Sequence, residues 1–487
     1  MGAEHTSSAP AMAHSALVQE FKAAQVTITE TSPVCILTSR TPRPCTMPHK
    51  DKSARLQSIY CVSHCYNAPL PDDRKAKLTV LSLNSSADSL TSVQQIELPK
   101  ETLMPVSQVI NQEGTKLFTV AGKHGVLCYE LKPDEQGRII DKPNCLNVTL
   151  ESLQTPYGVM PVDLSLDVSE RKLFTCNFLA GSISELSLNS DGQLSRDPRV
   201  CVLAHPGVPE KVQEIGLSSA AKELGFPEGF PEDSSHPHGV ACHPDGKWVV
   251  FCDLGSSNLM VFSLPLGESF ESGEPDFVMA AHLAPDNNRH YLAGTRLVRF
   301  SPNGDFLFSV NELDHTISSY RFNAVKGTLV PCGQPCMTVP QDWLDGIPPR
   351  PYMYNSQPNY NSGLAVSPDG RHVYSSARGH DSVAGFVIHA DGTLVPTSQK
   401  RVGSGGRTPW SMTFVNNDYL LVANQNADDP MARQQGGKHA DPERIAPAGR
   451  EPGNLTVFKR DSATGSLHPT GAIWEAPHII SVQTVSQ

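Results

Sequence analysis

Three stretches decide the fold: HGVACHPDGKWVVFCDLGSSNLMVFSL (238–264), RLVRFSPNGDFLFSVNELDHTISSYRF (296–322) and SGLAVSPDGRHVYSSARGHDSVAGFVI (362–388). Each holds an alternating apolar strand, a Pro-Asp/Asn-Gly turn, a second strand, a short polar link and a third strand. Period-two alternation marks strands with two distinct faces. Asp-Gly and Asn-Gly suit tight hairpin turns that need positive φ. Looser copies stand at 106–131 and 162–188. Another runs from 411 to 429 and resumes at 454–460, and an opening unit lies at 56–83. A fourth strand often follows, as in GTLVPCG (327–333), GTLVPTSQKRV (392–402) and GSLHPTGAIW (465–474). Seven such units predict an all-β chain, a seven-bladed β-propeller with four-stranded antiparallel blades, in which radial repetition leaves few exposed edges.

Working outward, residues 1–30 read as a weakly ordered tail and 31–487 as one propeller. Three inserts break the rhythm: 208–235, with a short helix at SSAAKELG; 337–361, with Trp343, Tyr352, Tyr354 and Tyr360 among prolines, read as a lid over the mouth; and 427–453, polar and rich in Pro and Gly. The chain carries 36 glycines and 40 prolines in 487 residues, as many short strands and turns require.

Composition excludes several function classes. The net charge of −11, with no long Lys/Arg run, makes a poor nucleic-acid binder. No apolar run approaches the roughly 18 residues that cross a bilayer. The N-terminus does not read as a secretory signal, so a cytoplasmic setting is expected, and the match of Gly2 to a myristoylation pattern reads as chance. The twelve cysteines are expected to be reduced, with Cys61, Cys176, Cys242 and Cys252 as buried thiols. The pairs Cys61/Cys65 and Cys332/Cys336 have no partner at zinc spacing. His236, His238 and His243 cluster in sequence, but strand alternation points them apart. No metal and no cofactor is expected.

The repeat itself places the site. Taking Gly246, Gly304 and Gly370 as origins, His238, Arg296 and Ser362 stand eight residues earlier, and Leu254, Glu312 and Arg378 eight later. In the last copy Asn417 takes the origin and Gln425 stands eight later. Positions equidistant from a hairpin turn lie opposite each other at its open end. If each first strand lines the axis, these residues ring one mouth of the central channel, and polar groups in a concave mouth are a site. His238, Arg296, Glu312 and Arg378 are therefore the catalytic candidates. Asn177, Asn311, His380 and Gln425 are the substrate-binding ones.

At these residues the chain resembles the seven-bladed propeller lactonase family, which includes bacterial 6-phosphogluconolactonases and the fungal carboxy-cis,cis-muconate lactonising enzyme. The resemblance spans about 56–475 and is carried by HPHGVACHPDGK, SPNGDFLFSVNELDHTIS, SPDGRHVYSSARGHDSVAGF and TPWSMTF…LLVANQN. The family's site His, Arg, Glu and Arg fall on His238, Arg296, Glu312 and Arg378. CNFLAGSI is similar to its ANYxxGSV segment, with Asn177 kept and Phe178 in place of tyrosine. Its frequent G-P-R-H reads Gly294-Thr295-Arg296-Leu297, so that histidine is missing. The resemblance implies hydrolysis of a sugar-acid lactone such as 6-phosphogluconolactone, with Glu312 as base, His238 as acid and the arginines binding an oxyanion or an anionic substituent. Two alternatives remain open. One is a cycloisomerase that lactonises a carboxymuconate with the same residues. The other is a non-catalytic propeller that binds a partner, since fold alone does not fix function. The expected partner is a small anionic lactone or polycarboxylate. The oligomeric state stays open.

Overall fold

The computed structural model describes residues 57–63, 76–99, 102, 105–122, 125–132, 139–146, 160–195, 198–202, 235–266, 276–279, 293–346, 359–425 and 453–484. The N-terminal tail, almost all of the first insert and the span 426–452 lie outside them, as do Tyr352 and Tyr354.

Seven antiparallel sheets follow one another along the chain. Blade 2 runs Gln108–Ile110, Lys116–Val120, Val126–Leu131, Ile139–Leu146, and blade 3 Pro161–Leu166, Lys172–Asn177, Ser182–Ser187, Arg199–Val202. Blade 4 is Pro237–Cys242, Trp248–Asp253, Asn258–Ser263, Asp276–Met279. Blade 5 is Thr295–Phe300, Phe306–Asn311, Thr316–Asn323, Thr328–Pro331, with Cys336–Met337 added on its third strand. Blade 6 is Tyr360–Val366, His372–Arg378, Ser382–Ile388, Leu394–Gly403. Blade 7 is Pro409–Val415, Tyr419–Asn424, Gly453–Arg460, Leu467–Ala476.

Blade 1 differs from the sequence reading. Gln57–Ser63, Lys77–Leu83 and Leu90–Glu97 are its outer three strands, and its first strand is Ile479–Thr484 from the far end of the chain. The ring is thus closed by pairing the two ends of the propeller in one sheet. The seven first strands contact one another in order around the ring, from blade 1 through blade 7 and back.

Burial falls from the inside out. Second strands lie between neighbouring blades and are buried on both faces, as in Phe306–Asn311. Their continuous apolar character follows from that position. Fourth strands such as Leu90–Glu97 are mostly exposed or half-buried. The Pro-Asp/Asn-Gly sequences do not form two-residue loops. Each closes a four-residue turn in which the glycine N–H donates to the carbonyl three residues back: Gly246 to His243 at 2.9 Å, Gly304 to Ser301 at 2.9 Å, Gly370 to Ser367 at 2.8 Å. The glycines take φ of +72°, +78° and +68°, a region costly for any side chain.

First strands of neighbouring blades are tied by side chains as well as by packing. The Ser165 hydroxyl accepts the Cys242 N–H at 3.0 Å, and the Ser411 hydroxyl accepts the Val482 N–H at 3.1 Å. Asp163 does most. Its carboxylate accepts from the Ser107 hydroxyl of blade 2 at 2.8 Å and the Val240 N–H of blade 4 at 3.0 Å. It also accepts from both terminal nitrogens of Arg299 of blade 5, at 3.0 and 3.3 Å. One buried carboxylate in blade 3 therefore fixes the strands that carry His238 and Arg296.

Candidate active site

Six of the seven first strands contain a β-bulge at the same place. Pairing skips Val162 in blade 3, His238 in blade 4, Arg296 in blade 5, Ser362 and Gly363 in blade 6, Trp410 in blade 7 and Ile480 in blade 1. A bulged residue is unpaired and its side chain is re-aimed out of the alternation. Two of the residues selected by counting from the turns, His238 and Arg296, are bulge residues. A third position, Ser362, belongs to the same set.

One pair of histidines departs from the sequence reading. Alternation was expected to point His236 and His238 apart. Instead both rings lie against Phe178, at centroid distances of 4.7 and 5.6 Å, because positions two apart along an extended chain share a face and the alternation rule was misapplied to this pair. His243 does sit elsewhere, at the turn end, packed on Phe300 and Phe322. Among the described residues no three His, Cys, Asp or Glu side chains gather as metal ligands would.

Gly239 follows the bulge residue of blade 4. A Cβ there would lie 2.7 Å from the Leu297 Cα and 2.8 Å from the Arg296 carbonyl oxygen. The backbones of two bulges thus approach as closely as glycine permits, which brings His238 beside Arg296.

The centre of the cluster is a buried ion triad. The Glu312 carboxylate is only 1% exposed. One oxygen lies 2.8 Å from Arg296 Nε and the other 2.9 Å from Arg378 Nη2. Arg296 Nη1 donates to the Ser362 carbonyl at 3.3 Å, and the Ser362 hydroxyl donates to the Trp410 carbonyl at 2.7 Å. Two guanidiniums share one carboxylate, so the triad carries one net positive charge in an acidic protein.

Burial holds the His238 imidazole well below its ordinary 6.5, and the positive charge of Arg296 adds to the effect. Its Nδ1 is buried without a hydrogen-bond partner among the described residues. The ring is therefore neutral at pH 7. In the unfolded chain it protonates near 6.5, whereas in the folded chain it does so only at lower pH. Between those values the unfolded state binds a proton that the folded state refuses. Stability is thus unaffected by this group above about pH 6.5 and falls below it, by at most about 1.4 kcal/mol per pH unit. We expect His238→Gln to flatten the fall in denaturation midpoint between pH 7 and 5. An unchanged fall in the variant would contradict this account of the imidazole.

The site is lopsided. His238, Arg296, Glu312 and Arg378 lie on blades 4 to 6, while Trp410, Ile480, Val106, Met160 and Val162, from blades 7, 1, 2 and 3, belong to one apolar cluster. An apolar flank of this kind lowers the local dielectric around the triad and strengthens its electrostatics.

The four proposed binding residues take different places. Asn311 is fully buried. Its amide nitrogen donates to Thr316 and Ser318 hydroxyls at 2.9 and 3.0 Å, and its oxygen accepts from Thr295 at 3.1 Å. Asn177 makes the equivalent bonds to Ser182 and Ser184 in blade 3. Both amides tie second strand to third within their own blades. His380 lies in the link after Arg378, hydrogen-bonded to Ser382 and edge-on to Trp343 of the short helix Gln341–Asp345. Gln425 is buried, in the blade 7 position that Glu312 holds in blade 5, and its N–H donates to Thr408.

Counting from the turns missed two residues. Tyr360, read as part of an insert, opens the first strand of blade 6, with the Arg378 guanidinium 5.6 Å from its ring. Trp410 lies 4.4 Å from the Arg378 guanidinium and 5.6 Å from that of Arg296. Residues 416–418 alone separate the paired Val415 and Tyr419, whereas 243–248 separate Cys242 and Val249, so eight residues back from Asn417 falls on Pro409. A single Trp within an alternating strand was the available signal.

Comparison with known proteins bears on the family and the fold. The 6-phosphogluconolactonase of Bacillus subtilis (strain 168) is 26% identical over 381 residues, covering 77% of this chain and 88% of that protein. An uncharacterised protein of Lactococcus lactis subsp. cremoris is 26% identical over 329 residues, covering 67% and 75%. Among solved structures, the periplasmic gluconolactonase of Pseudomonas aeruginosa superposes with a TM-score of 0.60 at 20% identity, covering 88% of this chain and 99% of that one. A Lactobacillus plantarum protein gives 0.57 at 19%, covering 88% and 100%. At those identities the structural matches speak for the fold alone. Residues 64–432 match the family described as "Lactonase, 7-bladed beta-propeller", and the chain belongs to that family.

Proposed function

We propose that the chain hydrolyses a lactone with an anionic substituent, a sugar-acid lactone such as 6-phosphogluconolactone being the first candidate. The observation that supports this is the buried Arg296–Glu312–Arg378 triad with its one net positive charge. Guanidinium edges suit the oxyanion that forms at a lactone carbonyl, or a substituent carboxylate or phosphate. That the Bacillus subtilis relative is a 6-phosphogluconolactonase supports the hydrolytic direction. Among the described residues no helix is long and apolar enough to cross a membrane.

The proposed roles of two residues differ from the sequence reading, in which Glu312 was the base and His238 the acid. Both Glu312 oxygens face guanidiniums, so Glu312 orients the arginines. The neutral His238 accepts the proton of the attacking water. Water oxygen bonds to the carbonyl carbon, and the oxyanion is held by the arginines. The ring C–O bond then breaks, and His238 returns the proton to the departing oxygen as a hydroxyl. The product is the open-chain hydroxy acid.

The test is a comparison of 6-phosphogluconolactone with glucono-δ-lactone. The phosphorylated lactone is expected to react with a kcat/KM at least about tenfold higher, the scale of one charge-assisted contact. Equal values would remove the anion clamp from the account.

A further inference from the structure

Trp410 shares its bulge position with His238 and Arg296 yet brings no charge, acid or base to the site. Its backbone is held firmly. The carbonyl accepts from Ser362, itself a bulge residue, and the neighbouring Pro409 carbonyl accepts from Ser376 at 2.9 Å. The bulges of blades 5, 6 and 7 are thus linked in series: Arg296 to the Ser362 carbonyl, then the Ser362 hydroxyl to the Trp410 carbonyl. The indole ends up beside both guanidiniums, and Arg378 lies within 5.6 Å of two ring centroids, those of Trp410 and Tyr360.

Guanidinium is attracted to the negative face of an aromatic ring, and most strongly where water is excluded. Stacking also fixes the plane of the guanidinium and leaves its N–H edge free to turn toward an anion. Trp410 is 7% exposed and packs in the apolar cluster with Ile480 and Val162, so it is itself immobile.

We propose that Trp410 is a positioning residue of the site: through its π face it sets the planes of Arg378 and Arg296 so that their N–H edges meet both Glu312 and the substrate's anionic oxygen. This rests on the lactonase reading for its kinetic consequence, though not for the stacking itself.

The experiment separates the ring's electronic role from its bulk. Trp410→Phe keeps a π face, whereas Trp410→Leu and Trp410→Met keep apolar volume without one. All three are measured with 6-phosphogluconolactone, alongside the thermal midpoint and the Nε–Hε resonance of Arg378 in arginine-labelled full-length protein, assigned with Arg378→Lys. We expect the Phe variant to retain most of the wild-type kcat/KM. The Leu and Met variants lose about tenfold or more at a midpoint close to that of the Phe variant. The ring-current shift of the Arg378 resonance should largely persist in Phe and fall in Leu and Met to the part that Tyr360 supplies. Equal kinetics and equal shifts in Phe, Leu and Met would reduce Trp410 to packing and overturn the proposal. If the wild type turns over no lactone, the functional reading falls and the Arg378 resonance alone decides whether the stacking exists.

Discussion

Glu312→Gln should lower kcat/KM by about a hundredfold or more, the scale of a lost oxyanion contact, and also destabilise the fold by about 3–5 kcal/mol, the cost of removing one partner from a buried charge pair. The two effects have one origin. Glu312 is 1% exposed, and the side chains of its partners are 5% and 13% exposed, so two guanidiniums would be left buried with no counter-charge. They would then turn toward water or bulk anions and lose the geometry that faces the substrate. Glu312→Asp keeps the charge but shortens the reach, so it should recover much of the stability and little of the activity. Chemical denaturation and steady-state rates on the same samples check both. A Gln variant that is stable and active would show that the triad is neither structural nor functional.

The second large effect is expected at Asp163, outside the site. Asp163→Leu removes the acceptor for Ser107, Val240 and Arg299 at once. The side chain of Arg299 is about a third exposed, which tempers the loss, so the low end of the range applies, about 3 kcal/mol. Adding Arg299→Met to Asp163→Leu should restore part of it, since the stranded charge is then gone, and a double-mutant cycle reads the coupling directly. Strictly additive losses would show that the two residues stabilise the fold independently. Because Val240 follows His238 by two residues and Arg299 follows Arg296 by three, the single variant should also lose activity beyond what its stability explains.

What was legible in the sequence followed from local rules. Pro-Asp/Asn-Gly between alternating strands repeats often enough to count blades, and a constant distance from the turn glycine puts His238, Arg296, Glu312 and Arg378 at one end of adjacent blades. What was not legible depends on geometry that leaves no local mark. A β-bulge inserts one residue without altering composition, so the set of re-aimed residues along the first strands could not be seen, whereas the shared side of His236 and His238, two positions apart, could have been. The shorter turn of blade 7 hid Trp410. Asp163 stands in the strand Pro161–Leu166, where a lone carboxylate reads as an ordinary polar position, and its guanidinium partner lies 136 residues away. Ile479–Thr484 reads as a seventh first strand only once the ring is seen to close on it.

The central claim is that the triad and the neutral His238 together open a lactone ring. The most direct measurement is the rate of loss of freshly generated 6-phosphogluconolactone with wild-type protein and with His238→Asn, against the spontaneous rate in the same buffer. The account predicts a wild-type rate far above background and a variant lowered by about a hundredfold or more, the usual share of one general base. A wild-type rate equal to background, or an unaffected His238→Asn variant, would contradict it.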